Sequence, residues 1–118
     1  MFKVVFFRTV SGKCPVEDFL DSLSGKQAQK VTWVLRIIEE LDSVPAQYLK
    51  KLPGTDDLWE VRVQVSRAQF RLLGFLDGDG NLVLLHAFTK KTAKIPRKEI
   101  MLAEKRKIDY MRQGGTDE

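Results

Sequence analysis

Trp59-Glu60-Val61-Arg62-Val63-Gln64-Val65 alternates apolar and polar residues, the pattern of a half-buried strand with one polar face. Gln69 to Leu76 reads as a second strand, and Asp77-Gly78-Asp79-Gly80-Asn81 behind it is a strong turn signal. Leu82-Val83-Leu84-Leu85-His86-Ala87-Phe88 is apolar on both faces, so it is expected as a central strand. Three such strands in succession describe an antiparallel meander. The link between the first two also sets a register. A two-residue turn at Ser66-Arg67 puts Arg62 opposite Arg71 on one face of the sheet, whereas a three-residue loop puts them on opposite faces.

Upstream of the meander, Tyr48 to Leu52 reads as a short strand stopped by Pro53-Gly54. Before it, Lys26 to about Val44 reads as a long helix closed by Pro45. Val31, Val34, Leu35, Ile38 and Leu41 share one face of that helix, with Trp33 and Ile37 widening it. A shorter helix starts at Pro15, with Glu17 and Asp18 in its first turn and Val16, Phe19, Leu20 and Leu23 on one stripe. Cys14 occupies its N-cap as an imperfect cap, and Gly25 is expected to end it. Phe2 to Phe7 reads as a strand. Two helices joined so tightly form a hairpin that must bury its apolar faces against something flat, and the meander supplies that surface.

Downstream, Thr89-Lys90-Lys91-Thr92-Ala93-Lys94 leaves the central strand, and Pro96 opens a last helix running to about Arg112. Ile100, Met101, Ala103, Ile108 and Met111 fall on one broad arc of it, beside a basic ridge of Lys98, Lys105 and Arg112. The expectation is an α+β fold in one domain, residues 1–118: an N-terminal strand, a helical hairpin, an antiparallel meander and a C-terminal helix. The tail from about residue 113 is expected to be disordered.

The composition excludes several classes. At 118 residues, 43% apolar and 31% charged, the chain is an ordinary globular domain, with no apolar run near the roughly 20 residues a membrane helix needs. The apolar opening ends at Arg8 without a small-residue cleavage site, so no secretory signal is expected and the cytoplasm is the default compartment. One cysteine and one histidine exclude a disulfide framework and any multi-histidine metal site. No metal or other cofactor is expected. Through Leu85 there are eleven Lys or Arg and eleven Asp or Glu, and from His86 onward nine against five. The net charge of +4 therefore sits at one end, which points to an anionic partner, nucleic acid first.

Neither a nucleophile elbow nor a P-loop is present, and Gly78 and Gly80 stand between strands, where no helix follows to help cradle phosphate. What remains is a set of cations. Arg62 lies on the polar face of its strand. Arg71 is embedded in Gln69-Phe70-Arg71-Leu72-Leu73, where a charged side chain must reach an edge, a partner or a cleft. Lys90, Lys91 and Lys94 emerge at the end of the central strand.

Leu58-Trp59-Glu60-Val61-Arg62-Val63, then Phe70-Arg71-Leu72, then Leu85 through Ile100 with Phe88-Thr89-Lys90-Lys91-Thr92-Ala93-Lys94-Ile95-Pro96, resembles the HigB-type, phage-derived branch of the RelE/ParE toxin superfamily. The likeness runs over nearly the whole chain. It implies a RelE-like fold and a type II toxin–antitoxin toxin that cleaves messenger RNA on the ribosome. It also implies hetero-oligomeric capture by a cognate antitoxin, often a helix-turn-helix protein. In that chemistry the RNA 2′-hydroxyl attacks its own phosphate, so neither a metal nor an enzyme nucleophile is needed. The protein orients the groups, neutralises charge and moves protons.

Carried over by resemblance, Arg71 clamps the scissile phosphate, Arg62 is a basic position on the preceding strand, and Lys90 and Lys91 form the basic pair at the end of the central strand. Which lysine is acid or base stays open. A tyrosine that follows this pair in some relatives has no counterpart here, so base stacking falls to Phe70, Phe88 or His86. Lys94, Lys98, Lys105 and Arg112 extend the surface expected to meet RNA. Two other readings remain: a gyrase-directed, ParE-like toxin that inhibits without cutting, and a degenerate toxin kept as a binding module.

Overall fold

The alternation in Trp59–Val65 and the apolar run in Asn81–Thr89 are realised in a computed structural model that describes residues 1–114. Its elements in order are β1 (Lys3–Phe6), α1 (Pro15–Asp21), α2 (Gly25–Glu40), β2 (Leu49–Lys51), β3 (Trp59–Val65), β4 (Ala68–Leu76), β5 (Asn81–Thr89) and α3 (Arg97–Arg112). The strands form one sheet in the order β1-β5-β4-β3-β2. β1 joins β5 in parallel, and every other pairing is antiparallel. β5 is thus an interior strand, as its two apolar faces require.

Each face of the sheet has its own core. On one, Val16 of α1 and Val31, Val34, Leu35 and Ile38 of α2 pack on Val61, Val63, Phe70, Leu72 and Leu84. On the other, Ala103 and Tyr110 of α3 pack on Phe7, Leu73, Phe75, Val83 and Leu85. The layout is mixed α+β, with the helical hairpin on one side and the C-terminal helix on the other.

Three local readings change. α1 ends at Asp21 with Ser22 as its C-cap, so Gly25 does not stop it. Gly25 instead opens α2 behind a capping box: the Ser24 hydroxyl accepts the Gln27 N–H at 3.2 Å, and the Gln27 side chain accepts the Ser24 N–H at 3.1 Å. α2 stops at Glu40 and does not reach Val44, because Asp42 and Ser43 favour local turns and Pro45 drives the residue before it out of the helical region. The apolar arc of α3 also splits. Met101, Ile108 and Met111 face outward, while Lys107 turns inward. Its ammonium donates to the Asp56 carbonyl at 2.8 Å and lies 5.1 Å from the Phe75 ring, so a lysine stem serves as packing. Gln113 and Gly114 form the turn that closes α3. The rest of the tail expected to be disordered lies outside the described residues.

Candidate functional site

Val65 pairs with Ala68, so Ser66-Arg67 is a two-residue turn, with Ser66 at a φ of 54°. Arg62 therefore stands opposite Arg71, and the pleat brings Glu60 to the same face. Glu60 is the partner that the embedded arginine required. Its Oε2 accepts from Arg71 Nε at 2.9 Å, and its Oε1 lies 4.0 Å from Arg62 Nε. Arg71 also donates from Nη1 to the Phe70 carbonyl at 3.0 Å and from Nη2 to Gln69 Oε1 at 3.3 Å. Arg71 is 4% exposed and Glu60 6%. These contacts use three of the five guanidinium N–H groups and leave two for a further acceptor. Burial pushes the Arg71 pKa down, Glu60 opposes that, and Arg62 adds to it. The group stays a cation. Arg62 is partly exposed and shares a cavity of about 330 Å³ with Gln47, Val63, Gln64, Gln69 and Arg71.

A second feature lies in β5. Leu73 pairs with His86 but Gly74 pairs with Leu84, so Leu85 is a bulged residue. The bulge resets the alternation, bringing His86 and Phe88 to the face that carries Arg71, with Phe88 directly opposite it. Gly74 is required there, because a Cβ would sit 2.3 Å from the Val83 carbonyl oxygen. His86 stacks on Phe88 with ring centroids 5.4 Å apart. Its Nδ1 lies 3.2 Å from Arg106 Nη1 and its Nε2 lies 2.6 Å from Glu99 Oε1. Arginine can only donate, so Nδ1 accepts and Nε2 carries the proton that Glu99 receives. Arg106 Nη1 also donates to the bulge carbonyl of Leu85 at 3.0 Å. Burial pushes His86 below its ordinary pKa against the hydrogen bond and charge of Glu99, and Arg106 adds to the push.

The lysines stand at the strand's exit. The Lys90 N–H donates to the Gln69 carbonyl at 2.7 Å, which ties the end of β5 to β4. Lys90 and Lys91 line an open groove of about 560 Å³ with Arg67, Ala68, Gln69, Thr89, Thr92 and Ala93. Gln69 borders both this groove and the Arg62–Arg71 cavity, so the two are neighbours. Lys94 is exposed beyond them, its carbonyl accepting from the Thr92 hydroxyl.

Not every expected residue joins this surface. Phe70 is 2% exposed and packs edge to face with Phe19 at 5.7 Å, on the sheet face opposite Arg71. It has no surface to stack on a base, which corrects that expectation. Both nitrogens of His86 are occupied within the fold. Lys98, Lys105 and Arg112 are exposed on α3. Reading the sequence missed Glu60, whose signal was an acid two residues from Arg62 on the same face. It also missed Arg67 and Gln69, which needed only the hairpin's geometry, and Glu99 and Arg106, which needed the docking of α3.

Among the described residues no group of three or more His, Cys, Asp or Glu stands where it could hold a metal ion, and no helix is long and apolar enough to cross a membrane. A family model described as "Phage derived protein Gp49-like (DUF891)" matches residues 18–108, which include Arg62, Arg71, Lys90, Lys91, Lys94 and the bulge. No curated protein matches the chain.

Proposed function

The chain belongs to the phage-derived Gp49-like family, which is related to the toxins of toxin–antitoxin systems, and on that premise we propose that it is such a toxin, an endoribonuclease that cuts messenger RNA on the ribosome and is restrained by a cognate antitoxin. The observation that supports this reading is a single surface. Arg62 and Arg71 stand level on one sheet face, and a lysine-bordered groove meets them at Gln69. Arg62 and the two uncommitted N–H groups of Arg71 bind the non-bridging phosphate oxygens. Glu60 holds the Arg71 guanidinium in plane and acts as a positioning residue. The RNA 2′-hydroxyl attacks phosphorus and releases its proton to solvent at the open groove, the bond to the 5′-oxygen breaks, and that oxygen leaves with a proton supplied from the Lys90–Lys91 side.

One observation favours the second reading, a toxin that inhibits without cutting. Arg71 is already held by three internal contacts and is 4% exposed, as a structural arginine would be. Mapping mRNA ends in a translation extract separates the two. Cleavage should leave 2′,3′-cyclic phosphate or 3′-phosphate ends. Lys91→Ala should lower it by about 10²–10⁴ and Arg62→Ala by about 10²–10³, with melting unchanged because neither side chain is in a core. Ends bearing a 3′-hydroxyl would mean attack by water and would overturn the mechanism. Intact mRNA in the extract together with loss of DNA supercoiling by gyrase would establish the non-cleaving toxin.

A further inference from the structure

Three large apolar side chains stand in line on the outer face of α3: Met101 is 55% exposed, Ile108 50% and Met111 62%. Their spacing, seven and then three residues, keeps them on one side of the helix over about 15 Å. Arg97, Lys98, Lys105 and Arg112 flank the line, all exposed. Among the described acids of α3, Asp109 pairs with Lys105 at 3.4 Å and Glu104 turns to the Asp56 N–H at 3.1 Å, which leaves Arg97, Lys98 and Arg112 to carry most of the positive charge. At the helix's C-terminal end, beside Arg112, a groove of about 250 Å³ opens toward Phe7 and the 92% exposed Val10.

We propose that the outer face of α3 is a docking site for an acidic amphipathic helix of a partner protein, seated on the Met101–Ile108–Met111 line with its carboxylates against the flanking cations. The charge and the apolar line have to be explained together. A nucleic-acid backbone would use the cations but gains nothing from three aliphatic side chains, and no aromatic residue stands among them to stack on a base. Methionines on an exposed helix face adapt to the apolar side of another helix. A second copy of this chain would oppose the same four cations to themselves across a two-fold axis, so like charges disfavour it. The site is separate from the phosphate-handling surface, and the inference holds whether or not the chain cuts RNA.

The probe is a synthetic acidic peptide with leucines at helical spacing, titrated into the full chain while backbone amide shifts are followed by NMR. Shifts should concentrate in residues 97–112. Ile108→Ser and Met101→Ser should each weaken binding by roughly tenfold, with unchanged melting because both side chains are exposed. Lys105→Glu should weaken it and flatten its salt dependence. A peptide of equal composition, shuffled so that its leucines share no face, should not bind. Equal binding of the shuffled peptide would overturn the proposal, as would insensitivity to both serine variants. Displacement of the peptide by single-stranded RNA would overturn it in favour of a nucleic-acid face. A dimer by sedimentation that Ile108→Ser dissociates would overturn it in favour of self-association.

Discussion

Under α1 and α2 the sheet presents Val61, Val63, Phe70, Leu72 and Leu84, whereas its other face buries Glu60 and Arg71 beside Leu73 and Phe88, and α3 lays Lys107 over Phe75. The first face needs only volume and shape, because aliphatic and aromatic groups pack without directional partners. The second needs partners for its charged and polar side chains: Glu60 for Arg71, the Asp56 carbonyl for Lys107, Glu99 and Arg106 for His86. Among the described residues, all three buried charged side chains lie on that second side. The difference separates two jobs. The apolar face holds the fold together, and the charged face holds its cations level across the β3–β4 hairpin.

The contrast can be broken first where the effects are largest. Phe70→Ala on the apolar face should cost about 3–5 kcal/mol of stability, measured by denaturant titration, with no partner able to compensate. Arg71→Met on the charged face should cost a comparable amount, about 3–5 kcal/mol, because it leaves the buried Glu60 carboxylate with only the partly exposed Arg62, 4.0 Å away. The charged pair differs in being replaceable. Adding Glu60→Leu to Arg71→Met should restore most of the stability, since an apolar pair of similar volume removes the unpaired charge. A double variant as unstable as the single one would show that the ion pair itself holds the sheet, and the division of labour between the faces would fail. A double variant that is stable but inert toward mRNA would sharpen that division.

The same contrast explains what could be read from the sequence. The apolar face was legible because periodicity reports burial directly, as in Val61, Val63 and Val65 or Val31, Val34, Leu35 and Ile38. The level placement of Arg62 and Arg71 was legible because a two-residue turn at Ser66-Arg67 leaves one register. The need for an Arg71 partner was also plain, but alternation marked Glu60 as solvent-facing and so hid that partner. The bulge left no trace, because Leu82 to Ala87 is apolar on either parity apart from His86. Glu99 and Arg106 stand 13 and 20 residues from His86, and only the docking of α3 brings them to it. α3 itself misled for a related reason. Lys107 can bury its stem where its ammonium finds a carbonyl, which released Met101, Ile108 and Met111 to the surface.

The smallest expected effect tests whether the charged face is sensitive to its own protonation. His86 has its pKa pushed below the ordinary value, by burial first, and holds its one proton on Nε2 for Glu99 while Nδ1 accepts from Arg106. The unfolded chain regains an ordinary histidine pKa, about 6.5. As pH falls below that value, the unfolded state takes up a proton before the folded state does. The contribution is therefore fully present above about pH 6.5 and is lost as pH falls through the lower folded value. Between about pH 7.5 and about pH 5.5 the denaturation midpoint should decline, since this range spans the histidine titration and stays above that of ordinary carboxylates. His86→Gln can still donate to Glu99 but cannot titrate, so its midpoint should fall less over the same range. Parallel slopes for the two proteins would mean that protonating His86 costs the folded state nothing. The Glu99–His86–Arg106 clamp would then be an ordinary surface contact instead of part of a face that depends on paired charge.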